Sequence, residues 1–157
     1  MESQPQSPFT LEINRILKAP PHAIWKCWTT PDLLMQWFCP RPWRVVQADM
    51  DLRVGGQANF IMQGPNGESF PNIGVYLALE ENRHLVFTDA FRAGWIPSEK
   101  PFMVGEVLLS ATPENFTHYI ARAHHWNAQD MESHQKRGFE PGWNTAADQL
   151  EELARTL

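Results

Sequence analysis

Only two cysteines, Cys27 and Cys39, occur in the 157 residues, and they do not form a C-x-x-C pair. Two thiols cannot build a four-cysteine zinc site, and a secreted disulfide framework ordinarily has more. Cys27 lies between Trp25 and Trp28 and reads as a small buried hydrophobe. No apolar run approaches the ~20 residues of a membrane helix. The stretch Met1–Pro5 is polar and acidic, without the apolar core of a signal peptide, so a cytoplasmic protein of bacterial type is expected. Basic residues are outnumbered, 13 Lys and Arg against 18 Asp and Glu, for a net charge of −5. Nucleic-acid and anionic-membrane binders normally show a basic patch, so neither partner is expected. There is no G-x-S-x-G elbow, phosphate-cradling glycine loop or dinucleotide fingerprint, hence no evident nucleophile and no expected cofactor. Internal repeats are absent as well.

Aromatic residues, by contrast, are plentiful. The chain has seven tryptophans and nine phenylalanines, with six methionines besides. Each aromatic covers ~150–250 Å², so this set implies either a very large core or a lined cavity. A composition of 43% hydrophobic and 20% charged residues suits one globular domain. We assign it to residues 9–157, after a flexible N-terminal tail at 1–8 holding Pro5 and Pro8.

Periodicity gives an α+β order. Phe9, Leu11 and Ile13 alternate with Thr10, Glu12 and Asn14 as a half-buried strand. Arg15 falls on the apolar parity, either as a strand end turning to solvent or as a pocket cation. Ala19-Pro20-Pro21 ends the strand, and two short helices follow at about 21–29 and 31–37, the second with Thr30 as N-cap and Pro31 at its first position. Strands are then expected through Val46–Leu52, Ala58–Met62, Ile73–Leu79 and Leu85–Phe91. A last hairpin joins Val104–Ala111 to Phe116–Trp126. The turns fall at Val54-Gly55-Gly56 and Pro65-Asn66-Gly67, and 92–102 is a long loop carrying Trp95. Asn127 caps a final helix interrupted near Gly138 and Pro141. Beyond the interruption, Trp143, Ala146, Ala147, Leu150, Leu153, Ala154 and Leu157 form an apolar stripe, with Asp148, Gln149, Glu151, Glu152 and Arg155 off it.

The stretch from Ile13-Asn14-Arg15 to Ala19-Pro20, the run Ile24-Trp25-Lys26-Cys27-Trp28-Thr29-Thr30-Pro31-Asp32 and Trp37 together resemble the opening of START-like proteins of the SRPBCC superfamily. The turn Asp51-Leu52-Arg53-Val54-Gly55-Gly56 is similar to the D-x-R-x-G-G pattern of the heat-shock protein 90 ATPase activator homologue family. Gly74-Val75-Tyr76, Arg83–Thr88 and Gly142-Trp143 agree with it too. The resemblance implies a helix-grip fold, a curved antiparallel sheet of six to seven strands around a long C-terminal helix, often with a hydrophobic cavity between. Its members include hydrophobic-ligand binders, aromatic-polyketide cyclases and a co-chaperone domain, so it fixes no single activity.

The first functional expectation is therefore a binder of a small hydrophobic molecule, lipid-like or polyketide- and aromatic-like. Phe60, Met62, Tyr76, Phe87, Phe91, Trp95, Met103, Tyr119, Phe139 and Trp143 would line the sheet–helix space, as would Trp126. Tyr76, Asp89 and His125 would orient the ligand's polar end, and Trp95 would gate the mouth. An alternative is a cyclase- or hydrolase-like enzyme using His125 and Asp89 for acid–base chemistry. A third is a chaperone-interacting module. Strand parity turns His125 inward and His124 outward with Arg122. His125, His134 and Asp130 or Glu106 could converge on a cation, but no tight ligand spacing such as H-E-x-x-H supports it, and no metal is expected. A homodimer is possible on the resemblance.

Overall fold

The computed structural model describes residues 7–157. The expected tail lies outside the described residues except for Ser7 and Pro8; Ser7 Oγ accepts the Phe9 N–H and its carbonyl accepts the Thr10 hydroxyl.

Strand β1 (Thr10–Leu17) leads into helices α1 (Pro21–Thr29) and α2 (Pro31–Leu34). Both helices begin at a proline, whose missing N–H is one the first turn leaves unpaired in any case. Helix α2 is shorter than the expected 31–37. The chain unwinds through Trp37 and Cys39 because their carbonyls are taken by the side-chain amide of Gln149, at 3.0 and 2.9 Å. Thr30 occupies the N-cap as expected, but through its backbone carbonyl, which accepts from Leu33 and Leu34.

The sheet is built from β2 (Arg44–Met50), β3 (Ala58–Gln63), β4 (Ser69–Asn72), β5 (Val75–Glu80), β6 (His84–Thr88), β9 (Met103–Ala111) and β10 (Thr117–His125) together with β1. One five-stranded sheet runs β1-β10-β9-β6-β5 and a three-stranded one runs β2-β3-β4. Bonds from Ala58 N to Gly74 O and from Tyr76 N to Gly56 O, with the Gln57–Val75 bridge, join them. β4 and β5 thus act as one bent strand, which sequence periodicity starts only at Ile73. The bend needs Gly74, where a Cβ would stand 2.1 Å from the Thr88 carbonyl oxygen. A bulge between Val45 and Gln47 shifts the inward parity of β2, so that Val45 is buried and Ala48 and Met50 follow. The long loop holds a small hairpin, β7 (Phe91–Arg92) with β8 (Ile96–Pro97).

Asn127 caps α3 (Ala128–Lys136), its side chain accepting the Asp130 N–H at 2.8 Å. Gly138, at φ +94°, breaks the chain into α4 (Phe139–Ala154). Glycine bears that left-handed conformation without a Cβ clash. Helix α4 grips the concave face through Phe139, Ala146, Ala147, Leu150 and Ala154. Gln149, expected off the apolar stripe, is buried, whereas Leu157 is exposed. Arg15 keeps its inward parity and ties β1 to α4, reaching Asp148 at 2.7 Å and Asn144 Oδ1 at 3.2 Å. The architecture is the expected α+β helix grip: a curved antiparallel sheet of seven strands, counting β4–β5 as one, around a long C-terminal helix.

Candidate functional site

Cross-strand register places the inward side chains of the concave face in rows. One row runs Leu11–Ala123–Gly105–Phe87–Tyr76 across five strands. The small residues in its middle make room for the large one beside them: a Cβ on Gly105 would meet the Phe87 ring at 2.4 Å. Phe87 reaches up to Trp28 of α1, with ring centroids 5.9 Å apart. Trp28 in turn packs on Trp37 at 4.8 Å and Phe38 at 5.7 Å, and Phe38 on Phe60 at 5.0 Å. Rings therefore pack edge-to-face and tilted across much of the space expected for a ligand.

Polar groups within this apolar layer divide into paired and unpaired. Trp28 Nε1 donates to the Tyr119 hydroxyl at 3.3 Å. The Tyr76 hydroxyl has no partner among the described residues, although the side chain is only 2% exposed. Burial pushes its ionisation well above the ordinary tyrosine range. Asn72 Nδ2 is also buried and unpaired, and Asn72 pairs with the inward Phe60, so both orphans belong to the concave side of the bent β4–β5 strand.

A second group closes the other end of the face. His125, inward as expected, lies beside Met103 in the ladder. Its Nδ1 bonds to the Phe9 carbonyl at 2.9 Å and its Nε2 to His134 Nδ1 at 2.9 Å. Phe102 packs on both imidazoles, Phe139 lies 5.2 Å from His134 and Trp143 6.0 Å. Burial first, then the neighbouring His125 and Arg137, pushes His134 down to about 4.

Several expected site residues serve elsewhere. The Asp89 carboxylate accepts the backbone N–H groups of Phe102 and Met103 at 2.9 and 3.1 Å, so it anchors the loop that enters β9. Phe91 and Trp95 pack on each other at 5.6 Å on the β7–β8 hairpin. Trp95 is 51% exposed with its indole against Gly55, and Trp126 is half exposed at the end of β10. Neither tryptophan enters the sheet–helix space. Met62 is partly buried against the core. Glu106 belongs to the convex face, bonded to His84 at 2.8 Å and His124 at 2.9 Å, and Asp130 is engaged with Asn127. Neither acid joins His125 and His134. Burial alone would raise Glu106, but the two histidine hydrogen bonds outweigh it and hold the carboxyl below its usual range. Both thiols are buried and pushed up to about 11 by that burial, which leaves them poor nucleophiles.

Two shallow hollows open at the surface. One of about 330 Å³ lies at the β1–β10 end, lined by Ser7, Pro8, Phe9, Val104, His124, His125 and Trp126. The other, of about 350 Å³, lies between α1 and the β5 edge, lined by Trp25, Thr29, Leu52, Leu79 and Glu81. Leu79 shares β5 with Tyr76, and Gly55, near Leu52, donates to the Tyr76 carbonyl at 2.8 Å.

The family model described as activator of Hsp90 ATPase homolog 1-like protein matches residues 18–155. The chain belongs to that family. A protein of Nitrosomonas europaea, solved by crystallography, is 34% identical over 94% of each chain with a TM-score of 0.89. A Mycobacterium smegmatis protein is 23% identical, over 92% of this chain and 90% of its own, with a TM-score of 0.77. The AHSA1-like protein of Aeromonas hydrophila is 17% identical over 94% and 92%, with a TM-score of 0.71. The last two speak for the fold alone. No curated protein matches. Among the described residues no helix is long and apolar enough to cross a membrane.

Sequence reasoning missed Trp28 as the partner of Phe87, Trp37 and Phe38 as partners of Trp28, and Asn72 as an inward polar group. The i, i+3 spacing of Trp25 and Trp28 on α1 carried part of that signal. Asn72 carried none, because its strand begins earlier than periodicity indicates.

Proposed function

We infer that the protein binds a small hydrophobic molecule on the concave face of its sheet, entering between α1 and the β5 edge. The observation that carries this reading is the Tyr76 hydroxyl, buried and unpaired in an apolar layer. Such a group ordinarily costs about 1–3 kcal/mol when it finds no partner. A ligand's carbonyl or hydroxyl oxygen would accept from it, with Asn72 Nδ2 as a second donor. Trp25, Leu52 and Leu79 supply apolar walls to an open hollow of about 350 Å³ at the proposed entrance. Phe60, Phe87 and Met62 would contact the ligand body where the rings yield to it. His125 would face a ligand only from the opposite end. Family membership supports the class of function and names no ligand.

The acid–base reading with His125 and Asp89 draws less support, since the Asp89 carboxylate is committed to two backbone N–H groups. Native mass spectrometry of the purified chain tests the binding reading. A retained apolar molecule is expected, and Tyr76→Phe should lower its retention about five- to tenfold. A chain that carries nothing and takes up no apolar probe such as naphthalene refutes the reading.

A further inference from the structure

With both rings neutral, the hydrogen bonds of the histidine pair set where its protons are. A carbonyl oxygen only accepts, so the Phe9 carbonyl requires the proton on His125 Nδ1. In the neutral ring His125 Nε2 then carries a lone pair, and the 2.9 Å contact requires His134 Nδ1 to donate to it. His134 Nε2 is left with a bare lone pair. It makes no hydrogen bond among the described residues, and the His134 side chain is only half-buried.

The surroundings of that nitrogen are aromatic. Phe102, Phe139 and Trp143 stand within 5.2–6.0 Å of the imidazole, ring centre to ring centre. The Arg137 guanidinium lies over the Phe102 ring at 5.1 Å. A cationic ligand would be repelled there, whereas an O–H that gains negative character on its oxygen would be favoured. An anchored ring whose second nitrogen is backed by a hydrogen bond is also held in one orientation, as are ligating histidines in general. His134 stays neutral far below pH 7, because burial and the neighbours His125 and Arg137 oppose its protonation.

We propose that His134 Nε2 is the recognition point for an aromatic hydroxyl, accepting its O–H while Phe102 and Trp143 flank the ring. This goes beyond the ligand-binding reading, because it places a contact at the end of the concave face opposite Tyr76. It assigns His134 a role that the sequence did not, with His125 as the residue that positions it.

The test compares 2-naphthol with 2-methoxynaphthalene, which share a ring system but differ in the O–H, by calorimetric titration of the full chain and of His134→Phe. The wild-type chain should prefer 2-naphthol about tenfold, and the variant should lose the preference while still binding the methoxy compound. Equal affinities in the wild type, or a preference that survives in the variant, overturns the assignment and leaves the ligand-binding reading standing. Failure of the wild type to bind either compound overturns the assignment as well. Should the variant not fold, nitrogen NMR of the wild-type histidines decides. The His134 Nε2 resonance should move from the bare towards the bonded range with 2-naphthol alone, and an unmoved resonance overturns the proposal.

Discussion

Two buried polar side chains on the concave side behave in opposite ways. Gln149, on α4, uses all of its amide: Nε2 donates to Trp37 and Cys39, and Oε1 accepts the Arg41 N–H at 3.1 Å. Tyr76, on β5, is as well buried and uses nothing. The desolvation cost is met in the first case by three hydrogen bonds and in the second by none within the described protein. A fully satisfied polar group is a structural clamp, and an unsatisfied one in the same layer points to a function. Both groups lie in one layer lined with tryptophan and phenylalanine, and of the two only the tyrosine is left without a partner there.

The clamp gives the largest expected effect. Gln149→Ala strands two carbonyls and one N–H of the segment 37–41 and leaves a void beneath Trp37. Unfolding stability should fall by about 3 kcal/mol, read as a lowered urea midpoint at unchanged slope. A loss under about 0.5 kcal/mol would mean that water replaces the amide, and the contrast with Tyr76 would collapse.

The same pair shows how far the sequence could be read. The alternation of Phe9, Leu11 and Ile13, the prolines at helix starts and the Asn127 cap carry α1, α3 and β1 almost to the residue, because each rests on local backbone chemistry. The inward set Phe60, Tyr76, Phe87 and Tyr119 was legible for the same reason, strand parity. Gln149 was not: a polar residue at a helix position flanking the stripe reads as solvent-facing, and only the unwound segment brought against it by α2 reverses that. Trp95 failed differently. A tryptophan in a long loop resembles a gate, yet the short β7–β8 hairpin puts Trp95 at φ +60° and turns it onto Gly55. Asp89 shares parity with Phe87, but a loop thirteen residues away along the chain claims its carboxylate. Such long-range hydrogen-bonding partners have no periodic signature.

The histidine pair gives the intermediate effect and shows whether the His134 end is loaded with buried polarity as the Tyr76 end is. His134 titrates at about 4 in the folded chain and at about 6.5 when unfolded. Between those values the unfolded chain holds more protons, so stability falls as the pH drops from about 6.5 towards 4 and is fully present above 6.5. His134 is only half-buried, so solvent screening reduces the effect to about 1–2 kcal/mol. Glu106, held low by its histidines, loses its contribution in the same direction as it becomes protonated. The informative quantity is therefore the difference between wild type and His134→Phe in thermal melts across this range. The variant should lack the His134 part of the slope, and identical slopes would show that the imidazole is as well solvated folded as unfolded.

The smallest effect is the most discriminating. Tyr76→Phe removes a hydroxyl that makes no bond within the described protein, so the folded state loses no interaction while the unfolded state loses hydration. The unliganded variant should match the wild type within about 1 kcal/mol or exceed it. Because a ligand stabilises only the state that binds it, the wild type saturated with an apolar hydroxyl or carbonyl compound should gain more in melting temperature than the variant. A large loss of stability in the unliganded variant would mean that the hydroxyl has a partner after all, and Tyr76 would then join Gln149 as a clamp.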